Sequence, residues 1–160
     1  MTYVSEHDAL DALLPEGYIT DKAKRAVVMF EVMELKNLPW LAGRGYNTWG
    51  VYIANVVCLR TQKEYTGSYM AVLFESFTDP ITTGREELGF SKLWAELPDA
   101  ILHDSSRTHT ASWFGTEFMR LDLPNLVVTD LSQAPSLHPR EWTHRKPHFS
   151  CRPQSYFHPS

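Results

Sequence analysis

Cysteine is scarce in this chain: Cys58 and Cys151 are the only two among 160 residues. Two isolated thiols build no disulfide framework, and they point to a reducing compartment, the cytoplasm. Long hydrophobic runs are missing as well. No apolar stretch approaches the roughly 18 residues that a membrane helix needs, so no span is expected. Met1 to Leu10 is mixed polar and acidic and lacks the basic segment and apolar stretch of a secretory signal. Positive charge is not in excess. The formal net charge is -4 with no basic stripe, which argues against a nucleic-acid surface. The phosphate-cradling Gly-rich loop and the Gly-x-Ser-x-Gly elbow are both absent. His138, His144, His148, His158 and Cys151 gather near the end, but their spacing fits no zinc pattern. Pro139 and Pro147 would break any helix that aligned them, so no metal site is expected.

What is present is ordinary globular composition, with 43% hydrophobic and 21% charged residues. The length suits one domain over residues 1–160, its part from 124 to 160 punctuated by proline and histidine and partly irregular. Ser5 to Leu14 reads as a helix, with Ser5 as cap, Asp8 three positions on, and Ala9, Leu10, Leu13 and Leu14 on one face. Arg25 to Leu35 reads as a strand that is apolar on both faces and therefore central. Leu38 to Asn47 is a loop. Thr48 to Arg60 and Tyr65 to Glu75 read as two strands of a hairpin. Asp79 caps a second helix, Pro80 opens it and Gly89 closes it. The short segment Phe90 to Trp94 follows, then one long strand within Arg107 to Leu123 and a strand-like piece from Leu126 to Leu131. The expected class is mainly β, or α+β, with mostly antiparallel strands and a few short helices.

Two features stand out chemically. Glu31 lies in the apolar strand, where a carboxylate must be paired, protonated or turned to a polar cavity. It either faces a cavity or pairs with a cation such as Arg85. His103, Asp104, Ser105 and Ser106 contain triad residue types, but triad partners come from separate elements, so no triad is expected. Trp40, Trp49, Trp94, Trp113 and Trp142 read as core or pocket walls.

The run Pro80 to Lys92 (PITTGREELGFSK) resembles the signature of the acetoacetate decarboxylase family. Gly84, Arg85 and Glu86 match its Gly-Arg-Glu, Phe90 an aromatic position, and Lys92 falls on its Schiff-base lysine. Asp8-Ala-Leu10 and Leu14-Pro15 resemble the family's early helix and its end. Met29-Phe30-Glu31 resembles its Phe-Glu strand, Tyr46 to Gly50 its active-site loop, and Cys151-Arg152-Pro153 with Tyr156 a late element. There are departures. Ser91 replaces the proline before the lysine, Leu93 the second lysine, and Thr48 (or Asn47) the loop glutamate. The family's arginine-bearing first segment would lie before Met1 and its last strands beyond Ser160. The chain is therefore expected to be a short or truncated member.

The resemblance implies a cone-like antiparallel β-barrel, open at its edges here, and a homo-oligomer. It implies Lys92 and Glu31 as catalytic residues, and Phe90, Trp94, Thr48 and Tyr46 as substrate-binding. Arg85 and Glu86 would fix the loop by a bidentate pair. Schiff-base chemistry needs a neutral amine, whereas an ordinary lysine is only ~0.1% neutral at pH 7. With Leu93 adjacent, and Phe90 and Trp94 nearby, desolvation is the expected means. Read without the resemblance, Lys92 is a surface lysine past a helix end. The implied activity is decarboxylation of a β-keto acid or related small carbonyl compound, without a cofactor. A substrate bulkier than acetoacetate, from secondary metabolism, would suit the aromatic neighbours. Two alternatives remain: an aldolase-dehydratase using the same lysine, and a non-catalytic binding protein or inactive fragment on the same scaffold.

Overall fold

Alternating β-branched and aromatic residues dominate the middle of the chain, and they form long paired strands. The structure, a computed structural model, describes residues 1–60 and 65–127. Its elements are β1 (Thr2–Val4), α1 (His7–Asp11), β2 (Tyr18–Thr20), β3 (Val27–Leu35), β4 (Tyr46–Cys58), β5 (Tyr65–Glu75), α2 (Thr78–Glu86), β6 (Lys92–Trp94), β7 (Ile101–His103), β8 (Ser106–Trp113) and β9 (Thr116–Leu123). A single 3-10 turn, Pro39–Leu41, lies in the loop before β4.

Six strands form one mixed sheet in the order β1-β3-β4-β5-β6, with β2 also paired to β4. β7, β8 and β9 form a second, three-stranded sheet. The expected β-rich class with few short helices is what the chain adopts. The described residues do not close a barrel. The two sheets are joined by the bridge between Glu96 and Ser112. The Glu96 carboxylate strengthens that join by accepting from the Ser112 hydroxyl (2.7 Å) and the Gly115 N–H (3.0 Å).

Register decides which face each side chain takes, because residues two apart on a strand share a face. Across β3, β4, β5 and β6 two rows run side by side. One is Glu31, Gly50, Leu73, Lys92; the next is Met33, Thr48, Glu75, Trp94. The opposite face carries Phe30, Val32, Trp49 and Phe74, which pack with Ala95, Leu97, Ala111, Met119 and Leu121. The second sheet therefore covers the apolar face, and the polar rows look the other way. A further core of Leu10, Tyr18, Ala26, Ile53, Val56 and Cys58 closes the far end of the large sheet. Cys58 is buried and free.

Several expectations need correction. α1 spans five residues rather than Ser5 to Leu14. Its cap position is Glu6, and no side chain caps it. The Ser5 N–H instead bonds the Ala26 carbonyl (3.0 Å), and only Leu10 of the apolar face is buried. Asp11 is diverted outward from the helix end: it accepts from the Thr20 N–H and hydroxyl (2.7 Å each) and from Lys22 (2.6 Å). β3 lies inside the sheet, between β1 and β4, but is half-buried along its length rather than buried on both faces. α2 starts at Thr78, so Asp79 lies in its first turn and is not its cap. Pro80 is still within the turn whose N–H groups lack helical partners, and the helix loses nothing there. Gly89 ends the segment at φ +70° as expected. Arg107 to Leu123 is not one strand but the β8–β9 hairpin, reversed at Phe114 and Gly115, both with positive φ. Residues 61–64 between β4 and β5, most of the piece from Leu126 to Leu131 and the late histidines lie outside the described residues.

Candidate active site

The site is built by the unit β5–α2–β6. α2 carries the chain from β5 to β6, which run parallel with Leu73 opposite Lys92. Such a connection requires a crossover element, and α2 supplies it. Three backbone ties hold the return: the Leu73 N–H bonds the Ser91 carbonyl (2.8 Å), the Phe90 N–H the Gly84 carbonyl (3.0 Å), and the Arg85 guanidinium the Lys92 carbonyl (2.8 Å). The Arg85 guanidinium thus braces the lysine's own backbone.

Lys92 is 7% exposed. Its side chain lies across α2 at Gly84, where a Cβ would stand 2.4 Å from Cε and 2.5 Å from Nζ. Glycine at 84 leaves the room in which the lysine lies; no special backbone conformation calls for it. The amine donates to the Pro80 carbonyl (2.9 Å) and is 2.8 Å from Glu75 Oε1. The Phe90 ring centroid is 5.8 Å from Nζ.

Glu75 is the carboxylate at this amine, and the sequence reading had not singled it out. It is 1% exposed. Burial pushes its carboxyl above the usual range, and the neighbouring Lys92 opposes that rise. Among the described residues its Oε2 has no hydrogen-bond partner, and neither has the buried Thr48 hydroxyl, its cross-strand neighbour. The signal that could have found Glu75 was its parity with Leu73 on a strand of buried character, the same argument that drew attention to Glu31.

The other expected residues are distributed around this centre. Thr48 is buried beside Glu75. Tyr46 is two positions before Thr48 on the same strand. Its hydroxyl is raised by burial and then by Glu75, and its ring meets Trp40 edge-on at 6.3 Å. Trp94 follows Lys92 by two positions and pairs with Glu75 across the sheet. It packs against Trp113 (5.9 Å) and Phe114 (5.8 Å). Glu31 shares the face of Lys92 but stands three strands away, about 14 Å at the usual strand spacing. It accepts from the Tyr52 hydroxyl at 3.0 Å. The Tyr52 ring folds over Gly50, between the two ends of the row, where a Cβ would stand 2.5 Å from it. Burial, then Glu31 and Glu75, hold the Tyr52 hydroxyl well above the ordinary phenol range. Glu31 therefore belongs to the rim of the polar face, and Glu75 to its centre.

His103 and Ser106 close the β7–β8 turn, where the Ser106 hydroxyl donates to the His103 carbonyl (2.7 Å). Among the described residues no group of three His, Cys, Asp or Glu is placed to hold a metal, and no helix is long and apolar enough to cross a membrane. A groove of about 390 Å³ lies on the opposite face, lined by Met1, Phe30, Trp49, Phe118 and Arg120 among others, and is separate from the lysine.

A family model described as acetoacetate decarboxylase matches residues 1–148. The chain belongs to the acetoacetate decarboxylase family. Several solved structures share its fold, and two of them come from work on acetoacetate decarboxylase. One is an acetoacetate decarboxylase from Legionella pneumophila subsp. pneumophila str. Philadelphia 1, 22% identical, with a TM-score of 0.55, covering 72% of this chain and 42% of that one. The other, from structural studies of acetoacetate decarboxylase, is 18% identical with a TM-score of 0.59, covering 76% and 46%. The chain thus spans less than half the length of these relatives. No curated protein sequence is a significant match.

Proposed function

We propose that Lys92 forms a Schiff base with a β-keto acid or a related small carbonyl compound, and that the chain serves a lysine-dependent carbon–carbon lyase. The observation that carries this reading is the amine itself. It is withdrawn from solvent into the Gly84 notch, with two unpartnered polar groups, Glu75 Oε2 and Thr48 Oγ1, on the same face. A structural lysine past a helix end has no need of burial, whereas a nucleophilic one does. Attack on the ketone and loss of water would leave an iminium. That iminium accepts the electron pair as carbon dioxide departs, and the enamine is then protonated. These steps call for no metal or organic cofactor. Phe90 and Trp94 supply apolar walls for a substrate larger than acetoacetate, in keeping with secondary metabolism. Family membership and the two decarboxylase neighbours support the reaction class.

Thr48 at the glutamate position and Leu93 beside the lysine favour a second use of the same iminium, aldol condensation and dehydration. Leu93 is uncharged, lies on the other face opposite Phe74 and is 44% exposed. A single domain, a cytoplasmic setting, in keeping with the free thiol of Cys58, and a homo-oligomer complete the proposal.

The test is reductive trapping. The protein is incubated with a panel of β-keto and α-keto acids, reduced with borohydride, and mapped by mass spectrometry. An adduct on Lys92, lost in Lys92→Ala, is the expected result. Folded protein that yields no adduct with any member would leave the scaffold as a binding protein.

A further inference from the structure

Lys92 poses a proton problem that its surroundings answer. Its ammonium form would offer three N–H groups, and two acceptors are placed for them, Glu75 Oε1 and the Pro80 carbonyl. Glu75 in carboxylate form would leave a buried, charged Oε2 with no donor among the described residues. Both side chains are withdrawn, with 9% of Lys92 and 2% of Glu75 exposed. Burying two charges costs several kcal/mol per ion, and mutual attraction offsets this only when the remaining lone pairs are satisfied. Moving one proton from Nζ to Glu75 removes both charges. The amine then keeps an N–H for Pro80 and accepts from the Glu75 hydroxyl. Oε2 becomes a neutral carbonyl oxygen, far cheaper to leave bare.

We infer that Glu75 is the proton carrier of Lys92: it holds the proton that frees the amine and returns it to the oxygen that leaves as water. This rests on the Schiff-base reading of Lys92. The steps balance within the pair and the substrate. The amine lone pair forms the C–N bond while the carbonyl π pair moves to oxygen, which takes the Glu75 proton. The new ammonium centre gives a proton back to the carboxylate. Glu75 then protonates the carbinolamine hydroxyl. The C–O bond breaks, water departs with its electron pair, and the nitrogen lone pair closes the C=N bond. An amine, a ketone and the proton of Glu75 become an iminium, a water and a Glu75 carboxylate. The carboxylate then stands beside the cation it helped to make. The bare Thr48 hydroxyl, opposite Glu75, is positioned to hold the oxygen in transit.

Because the pair shares one proton, moving it between nitrogen and oxygen does not depend on pH within the range where the pair stays singly protonated. This gives two readouts that a structural carboxylate would not move. The first needs no substrate. Infrared spectra of the intact protein at pH 7 should show a protonated-carboxyl stretch that disappears in Glu75→Gln, or shifts in Glu75→Asp should the first variant not fold. Wild-type protein without that band overturns the inference, whatever trapping shows. The second is the rate of borohydride-trapped adduct at Lys92. It should change less than about threefold between pH 6 and 8 in the wild type, but rise about tenfold per pH unit in Glu75→Gln, where no neighbouring carboxyl can take the amine's proton. A tenfold slope in the wild type also overturns it. A carboxyl band without any adduct would instead count against the Schiff-base reading and leave the protonated Glu75 standing.

Discussion

Gly84 and Lys92 meet across the α2–β6 contact, and a methyl group at 84 would strike the far end of a flexible side chain rather than backbone. Gly84→Ala should therefore leave stability near its starting value, since alanine gains up to about 1 kcal/mol of helix propensity over glycine. The amine would be pushed off Glu75 and Pro80, and adduct formation at Lys92 should fall by at least about tenfold. Thermal unfolding alongside trapping kinetics checks both halves. Asp11 carries the pH prediction at this scale. Burial raises its carboxyl, but the bonds from Lys22 and Thr20 outweigh that and hold it at about 2. A folded value below the unfolded one adds stability above about pH 4. That stability is lost as pH falls towards 2. Asp11→Asn should cost roughly 1 kcal/mol at pH 7 and flatten the acid limb of a circular-dichroism titration between pH 4 and 2. Lys92 and Arg85 were singled out at this scale through the resemblance of the Gly-Arg-Glu to lysine run to the family's signature. Glu75 was not. Parity on an apolar strand could mark it as a buried carboxylate, but its place at the amine comes from the parallel register of Leu73 with Lys92, which no local pattern encodes.

Elements were legible where alternation was long, as in β3, β4 and β5, and illegible where a turn lacked its usual residues. The β8–β9 reversal places Phe114 at φ +47°, a position that asparagine or glycine normally fills, so Gly115 alone gave too little warning. The ring is 79% exposed and rests on Trp94 and Trp113. Glu96 pins this tip, and Glu96→Ala should speed amide exchange, most at Gly115 and Ser112. Helix ends failed for a different reason. Ser5 and Asp79 are good cap residues, but the chain uses Ser5 in a tie to Ala26 and starts α2 a turn's fraction earlier. Gly45 shows how tightly the entry to β4 is drawn. A Cβ there would stand 2.1 Å from the Leu35 carbonyl oxygen, which is backbone and cannot swing aside. Gly45→Ala is expected to destabilise by about 3 kcal/mol, read from a denaturant midpoint.

At the scale of the molecule, family and class were legible because the Gly-Arg-Glu to lysine spacing lies within a β-rich pattern. The arrangement of two sheets bridged at Glu96 was not, since it depends on which strand edges find partners. Trp113, Phe114, Ile101 and Leu102 lie exposed on the second sheet and its turns. Exposed rings of this kind suit the proposed self-association, and sedimentation velocity should find species heavier than the 18.4 kDa chain. The seat of Lys92 differs from the rest of the molecule in how it is reached along the chain. Its bond to Pro80 spans 12 positions, whereas the Asn47 bond to the Leu97 carbonyl spans 50. Loops near the shorter length close in about 10–100 ns and lose little entropy in doing so. The seat of Lys92 is therefore a local closure of the chain, formed within the single unit β5–α2–β6, and it depends little on the order in which the long sheet pairs assemble.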